Sequence, residues 1–76
     1  MKIEVLGSGC PKCKQLAANA EQALKELNKK GVVEKITDMN KIIEAGILMT
    51  PVLRVDGKIV FQGEIPGVEE IKKVLK

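Results

Sequence analysis

The sequence predicts a single α/β domain in which strands and helices follow in the order βαβαββα. Three observations support this class. Segments with the apolar spacing of strands alternate with segments that have the spacing of helices, a long helical pattern follows the first strand, and Asp56-Gly57 separates two apolar runs. A chain of 76 residues has room for one hydrophobic core. We therefore expect one domain over residues 1–76, with a four-stranded mixed sheet and three helices.

The first strand is predicted at residues 2–6 and the first helix from Pro11 to about Lys29. Proline is well tolerated at the first helical position, and Gly31 provides a stop after two lysines, whose charge suits the end of the helix dipole. Spacings of three and four residues place one set of side chains on the inner face of this helix. They are Cys13, Leu16, Ala17, Ala20, Ala23, Leu24 and Leu27.

The middle of the chain carries a second strand candidate and a short helix. Residues 32–37 are rich in β-branched side chains, Asp38 is placed to cap a helix, and that helix carries Met39, Ile42 and Ile43 as far as Gly46. A loop at residues 47–50 then leads to Pro51. The pattern predicts the second βα pair of the fold.

The last third predicts a hairpin followed by a helix. Residues 52–55 and 58–62 flank Asp56-Gly57, which suits a type I′ turn because that turn requires positive φ at both positions. Residues 63–67 open the last helix, with Glu69 and Glu70 in its first turn. The apolar residues on one face of this helix are Val68, Ile71, Val74 and Leu75.

The composition excludes several classes of function. The chain has no His, Tyr or Trp, one Phe, and a net charge of +3 spread along its length, which argues against nucleic-acid binding. No apolar stretch is long enough to span a bilayer, and Met1 leads directly into a strand rather than a signal peptide. We therefore expect a cytoplasmic protein.

Reactive chemistry is concentrated in Cys10-Pro11-Lys12-Cys13, which contains the only two cysteines. The pair encloses too short a loop to restrict the unfolded chain strongly, so it is a poor structural staple. Two thiols at this spacing can close a disulfide or hold one soft metal ion. In a reducing compartment, such cysteines are more often catalytic, redox-sensing or metal-binding than structural.

The motif and its surroundings resemble the thioredoxin-like proteins. A Cys-x-x-Cys at the start of the first helix, Thr50-Pro51 before the third strand and the βαβαββα order are similar to the minimal thioredoxin fold over the whole chain. The sequence Gly9 to Cys13, the short length and the segment from Gly63 onward resemble the small thioredoxin-like and glutaredoxin-like proteins of the redox-active disulfide protein 2 family. The resemblance implies a dithiol–disulfide oxidoreductase.

The helix start gives the two sulfurs different environments. Cys10 is predicted to cap the helix, where unpaired backbone N–H groups and the nearby Lys12 favour a thiolate, so its pKa should lie below the ordinary value of about 8.5. Cys13 lies one turn further and points inward. We therefore expect Cys10 to attack a substrate disulfide and Cys13 to resolve the mixed disulfide, while Pro11 stiffens the turn between them.

Other residues are candidates for supporting this site. The resemblance implies that Pro51 is cis and lies beside the sulfurs, where it presents the backbone of Thr50 to an extended substrate; a plain trans proline that starts a strand is the alternative. Gly63 keeps the neighbouring surface open to a partner's backbone. Glu4 lies six residues before Cys10, where many thioredoxins carry a buried carboxylate that moves protons for the resolving cysteine; an exposed strand residue is the alternative.

Metal binding is the rival function for the same cysteine pair. Copper-chaperone domains place Cys-x-x-Cys similarly, but their βαββαβ order ends in a strand, whereas this chain ends in a helical pattern. A four-sulfur zinc site would need a second chain, because two cysteines without His supply half of a tetrahedron.

The sequence therefore predicts a monomeric thiol–disulfide oxidoreductase that acts on protein or small-molecule disulfides. It would need no bound cofactor or metal, and a reductase resembling thioredoxin reductase would supply its electrons.

Overall fold

The computed structural model describes residues 1–9, 11–47 and 49–75. Its helices and strands follow the predicted order, and the minimal thioredoxin fold is confirmed, with a four-stranded mixed sheet and three helices in the described part. The elements are β1 (Lys2–Leu6), α1 (Pro11–Glu26), β2 (Val32–Ile36), α2 (Met39–Glu44), β3 (Val52–Val55), β4 (Lys58–Gln62) and α3 (Val68–Leu75).

The sheet has the strand order β2-β1-β3-β4. β1 pairs in parallel with β2 and antiparallel with β3, so it is an inner strand with neighbours on both sides. The parallel pair is joined by α1, because a parallel connection needs a crossover long enough to hold a helix. The loop at residues 7–9 follows the carboxyl end of β1 and leads toward the start of α1.

Alternate residues of β1 point to opposite faces of the sheet. Ile3 and Val5 pack in the larger core cluster with α1 and α3, whereas Leu6 packs in a second cluster with Ile42 of α2. The buried members of the larger cluster are Ile3, Val5, Leu16, Ala17, Ala20, Ala23, Leu24, Leu53, Ile71 and Leu75. The buried members of the second are Leu6, Ile42, Ile47 and Val52.

The hairpin between β3 and β4 has the predicted turn. Asp56 and Gly57 both have positive φ, at 49° and 85°, as a type I′ turn requires. The register shifts between Leu53, which is opposite Phe61, and Arg54, which is opposite Ile59. Val60 is therefore the extra residue of a β-bulge, and it packs on the larger cluster together with its neighbour Phe61.

The first helix ends earlier than predicted. It stops at Glu26 because Asn28 adopts a left-handed conformation (φ 54°), which asparagine tolerates better than most residues. The amides of Asn28 and Lys29 donate to the carbonyls of Lys25 and Leu24, and these bonds close the helix before Gly31. The second helix ends as expected, with Gly46 in the left-handed region after Ala45.

Smaller differences concern two other boundaries. β2 ends at Ile36, one residue before the predicted limit, and α3 begins at Val68, after residues 63–67. The N-cap of α2 is confirmed, since the Asp38 side chain accepts a hydrogen bond from the amide of Asn40 at 2.9 Å. In residues 1–9, 11–47 and 49–75, the structure contains no helix with the length and apolar content that a membrane crossing requires.

Candidate active site

Cys13 is the third residue of α1 and is buried, with 5% of its surface exposed. It shares a helix face with Leu16 and Ala17, which are 0% and 1% exposed and lie in the larger core cluster. The helical spacing thus holds the sulfur against the sheet, on the inner face of the helix as the sequence predicts. A buried thiol at this position is protected from solvent but lies within one turn of the helix start.

Gly7 follows the last residue of β1 and leaves the space that the Cys13 sulfur occupies. A Cβ built on Gly7 would overlap Cys13 Sγ and would lie 3.4 Å from Cys13 Cβ. Its φ is not in the left-handed region, whereas that of Gly9, in the same loop, is 82°. Gly9 therefore serves the turn, and Gly7 serves the approach of the sulfur to the backbone.

Sequence reasoning did not identify Gly7 as a site residue. One signal could have done so: Gly7 continues the alternation of Ile3 and Val5, so it falls on the sheet face that packs against α1. A glycine at that parity, just before a cysteine motif, indicates close contact with a neighbouring group as well as a turn.

Pro51 also lies close to Gly7. It is buried, the Thr50–Pro51 peptide bond is cis, and Pro51 Cα lies 3.8 Å from the position of a Cβ on Gly7. Thr50 is exposed. The structure therefore brings Pro51 and Cys13 together around Gly7 and leaves Thr50 accessible from outside.

Gly63 adjoins Pro51 at the end of β4. Its amide donates a hydrogen bond to the Pro51 carbonyl at 2.9 Å, and its φ is 74°. The Met49 side chain lies over it, since a Cβ on Gly63 would come within 2.7 Å of Met49 Cε. Gly63 is thus part of the same surface as Thr50, and exposed Met49 forms its apolar cover.

The start of α1 is accessible, because Pro11 and Lys12 are both exposed. Pro11 is the first residue of the helix, as predicted. Cys10, with its predicted role as cap and attacking thiol, lies outside the described residues. The predictions for Cys10 and for the effect of Lys12 on it therefore stay predictions.

A small hollow lies beside Cys13 toward β2. Two exposed lysines, Lys14 from α1 and Lys35 from β2, form part of its wall. The full lining is Val5, Gly7, Gly9, Cys13, Lys14, Lys35 and Thr37. Cys13 therefore has Gly7 against its sulfur and is part of the wall of this hollow.

Glu4 is buried, with 7% of its surface exposed, but it is paired away from Cys13. Nε and Nη2 of Arg54 each donate to one Glu4 carboxylate oxygen at 2.9 Å. These hydrogen bonds lower the pKa of Glu4 below its ordinary value, against the opposing effect of burial. Strand alternation directs Glu4 to the face opposite Val5, which lines the hollow with Cys13.

The structure therefore does not bring Glu4 to the sulfur side of the sheet. The burial of this carboxylate is explained by Arg54, which lies directly opposite it on β3. A role for Glu4 in proton transfer stays a prediction.

The described residues also bear on the metal-binding alternative. Nowhere in residues 1–9, 11–47 and 49–75 do three or more His, Cys, Asp or Glu side chains converge in a group that could hold a metal ion. A four-coordinate zinc site built on the cysteine pair would need ligands from a second molecule.

Comparison with known proteins gives a consistent family. The model of the thioredoxin domain matches residues 1–76. A thioredoxin of Methanothermobacter thermautotrophicus is 45% identical over 75 residues, which cover 99% of this chain and 97% of the relative. A thioredoxin of Methanocaldococcus jannaschii is 46% identical over 74 residues, which cover 97% of this chain and 85% of the relative. The sheet has the order of the minimal thioredoxin fold, Cys13 is buried at the start of α1, and the family model matches the whole chain. The chain therefore belongs to the thioredoxin domain family.

Proposed function

We propose that this small thioredoxin-like redox protein is a thiol–disulfide oxidoreductase that reduces protein or small-molecule disulfides through Cys10 and Cys13. The Cys10 thiolate attacks one sulfur of the substrate disulfide, a Cys10–substrate disulfide forms, and the other substrate sulfur leaves as a thiolate. The Cys13 thiolate then attacks Cys10 Sγ, which closes the Cys10–Cys13 disulfide and releases the second substrate thiolate. Two electrons pass from the protein to the substrate, and water protonates the products.

The observation that carries this proposal is the position of Cys13. Its sulfur is buried against Gly7 next to Pro51, while Pro11, Lys12 and Thr50 are exposed. A substrate can approach the start of α1 from the exposed side without reaching the buried sulfur. This asymmetry suits Cys13 to the second, intramolecular step, for which it needs access to Cys10 alone.

The exposed surface beside the site suits an extended peptide. Thr50 and Gly63 are both exposed, and Gly63 is tied to Pro51 by a backbone hydrogen bond. An extended chain can pair with backbone groups presented at such a position, with Met49 offering apolar contact. We therefore favour disulfide-containing proteins as substrates, and small disulfides as a less demanding class.

The oxidised protein must be returned to the dithiol form. The proposal requires an external donor, such as a reductase resembling thioredoxin reductase, and requires no bound cofactor. Cysteines that react, and do not merely cross-link the fold, suit a reducing compartment, so we propose that the protein is cytoplasmic. We also propose that it is a monomer.

Turnover of a protein disulfide tests this function. The wild-type protein should accelerate the reduction of insulin by dithiothreitol, and Cys10→Ser should reduce that acceleration to background, because the first step needs the Cys10 thiolate. Lys25→Gln, an exposed position in the last turn of α1, is a control that should retain activity. No acceleration by the reduced wild-type protein, together with tight binding of one Cu(I) or Zn(II) per chain or per dimer, would favour the metal-binding alternative.

A further inference from the structure

We propose that Gly7 is a positioning residue for the resolving step: by having no side chain, it holds Cys13 Sγ in the place from which that sulfur reaches Cys10. This inference rests on the proposed oxidoreductase function. It concerns a residue that contributes no reacting atom, so its effect must act through the sulfur it contacts.

The contact is specific to the sulfur atom. A Cβ on Gly7 would overlap Cys13 Sγ, but it would lie 3.4 Å from Cys13 Cβ and 3.8 Å from Pro51 Cα, which are ordinary contact distances. An added methyl group at position 7 therefore competes with one atom of the cysteine, and the neighbouring backbone has room for it.

Neither backbone can easily move away to relieve that overlap. The Gly7 amide donates to the Ile36 carbonyl at 3.0 Å, which ties it to β2. Cys13 is fixed by α1, whose next turn is buried at Leu16 and Ala17. The movable part is the Cys13 side chain itself, which has one rotatable bond to its sulfur.

The hollow shows where the sulfur would go. It adjoins both Gly7 and Cys13 and extends toward Lys35 of β2 and Thr37, which follows that strand. A Cβ at position 7 would turn Sγ into this space, so the fold would survive while the sulfur changes place. A displacement on the order of 1 Å can slow a positioned reaction by up to about a hundredfold. The disulfide also has a narrow permitted geometry, so its formation is sensitive to such a shift.

Single-turnover kinetics of Gly7→Ala with a disulfide-containing peptide separate the two chemical steps. The reduced protein is mixed with the peptide, quenched with acid and analysed by mass spectrometry over time. We expect formation of the Cys10 mixed disulfide to stay within about twofold of the wild type, and its resolution to slow by about tenfold or more. The equilibrium constant of the Cys10–Cys13 disulfide against glutathione should fall by a similar factor.

Gly67→Ala is the matched control. Gly67 has no atom within 4 Å of an added Cβ and does not have positive φ, so the same change there should leave both steps at wild-type rates. Wild-type resolution and a wild-type equilibrium constant in Gly7→Ala would overturn the inference. If the wild-type protein itself forms no mixed disulfide with the peptide, it is the proposed function that fails.

A double-mutant comparison keeps the test decisive if Gly7→Ala folds poorly. Cys13→Ala removes Sγ and keeps Cβ, so adding Gly7→Ala to Cys13→Ala should leave the thermal unfolding midpoint nearly unchanged. A lower midpoint for Gly7→Ala in the wild-type background alone supports the sulfur contact. An equal fall in the unfolding midpoint in both backgrounds would show that the backbone excludes the methyl group, and would overturn the inference.

Discussion

The two faces of the sheet are built differently. The face toward α1 and α3 carries a continuous apolar cluster, with Cys13 at one end against Gly7. The opposite face has a smaller apolar cluster beneath α2, and beyond it lie ion pairs: Glu4 with Arg54, and Lys2 with Glu34 at 3.9 Å. One face therefore combines the main core with the sulfur site, whereas the other combines a short helix with charged pairs.

The buried charge of Glu4 lies on the face away from Cys13. Glu4 and Val5 are adjacent in sequence, yet Glu4 is compensated by Arg54 while Val5 lines the hollow beside Cys13. A bidentate arginine satisfies both carboxylate oxygens, which makes a buried glutamate tolerable. The buried carboxylate is thus explained by its pairing with Arg54 on one face, whereas Cys13 lies on the other.

The largest effect should come from a cavity in the larger cluster. Leu53 is 0% exposed, so Leu53→Ala should lower the free energy of unfolding by about 3–5 kcal/mol, the upper range for such truncations, because helices and neighbouring strands enclose it. Ile42→Ala, on the buried face of α2, should lower the free energy of unfolding by about 2–3 kcal/mol, since a six-residue helix can adjust more easily. Denaturant unfolding measures both.

The adjacent Ile43 supplies the control for that comparison. It is 67% exposed, so Ile43→Ala should change the free energy of unfolding by less than about 0.5 kcal/mol. If Ile42→Ala proved as damaging as Leu53→Ala, the two faces would contribute equally and the contrast between them would fail.

Removal of Arg54 tests the charged part of the second face. Arg54→Met should cost about 2 kcal/mol, less than for a fully buried pair because the Arg54 side chain is 23% exposed. Most of that loss should be recovered in Glu4→Leu/Arg54→Met, which removes both charges. The rate of mixed-disulfide resolution should stay within about twofold of the wild type, because the pair lies across the sheet from Cys13. If the resolution rate falls when Glu4 is replaced, that result would support its predicted role in proton transfer.

The same pair predicts a pH dependence. The pKa of Glu4 is lowered from its ordinary value of 4.5, chiefly by the hydrogen bonds from Arg54, so its charged form stabilises the fold at pH values above 4.5. That contribution is lost as the pH falls below 4.5 and through the lowered pKa. The stability difference between wild type and Arg54→Met should therefore narrow with acidification. Lys58→Met, an exposed charge-matched control, should show no such narrowing.

The smallest effect should come from the cap of α2. Asp38 accepts a hydrogen bond from the Asn40 amide, so Asp38→Ala should lower the free energy of unfolding by about 1 kcal/mol. Asp38→Asn keeps a hydrogen-bond acceptor and should lose less stability than Asp38→Ala. Equal losses for the two variants would show that the charge of Asp38, and not its hydrogen bond, stabilises this helix.

The sequence predicted the fold well where local chemistry decides it. The bounds of β1, β3 and β4 follow from apolar alternation and the Asp56-Gly57 turn, and Pro11 marks the start of α1. The predicted end of α1 was wrong. Asn28 adopts the left-handed conformation that ends the helix, whereas the sequence pattern favoured Gly31 for that role. Both residues are plausible stops, and their competition is settled by backbone hydrogen bonds that the pattern does not contain.

The site was less predictable, because its contacts join distant segments. The inward direction of Cys13 follows from helix spacing, but the need for Gly7 arises only when α1 packs on β1. The bulge at Val60 likewise depends on pairing between strands. Glu4 was predicted as a candidate from its distance to Cys10 along the chain, whereas strand parity, also readable from the sequence, places it on the opposite face.

Trapping the intermediate tests most directly whether disulfide exchange belongs to Cys10 and Cys13, with Cys13 as the resolving sulfur. Cys13→Ser and Cys10→Ser are each reacted with the same peptide disulfide, and the adduct is located by mass spectrometry after proteolysis. We expect a stable adduct on Cys10 in Cys13→Ser and none, or a far slower one, on buried Cys13 in Cys10→Ser. A faster adduct on Cys13 would contradict it.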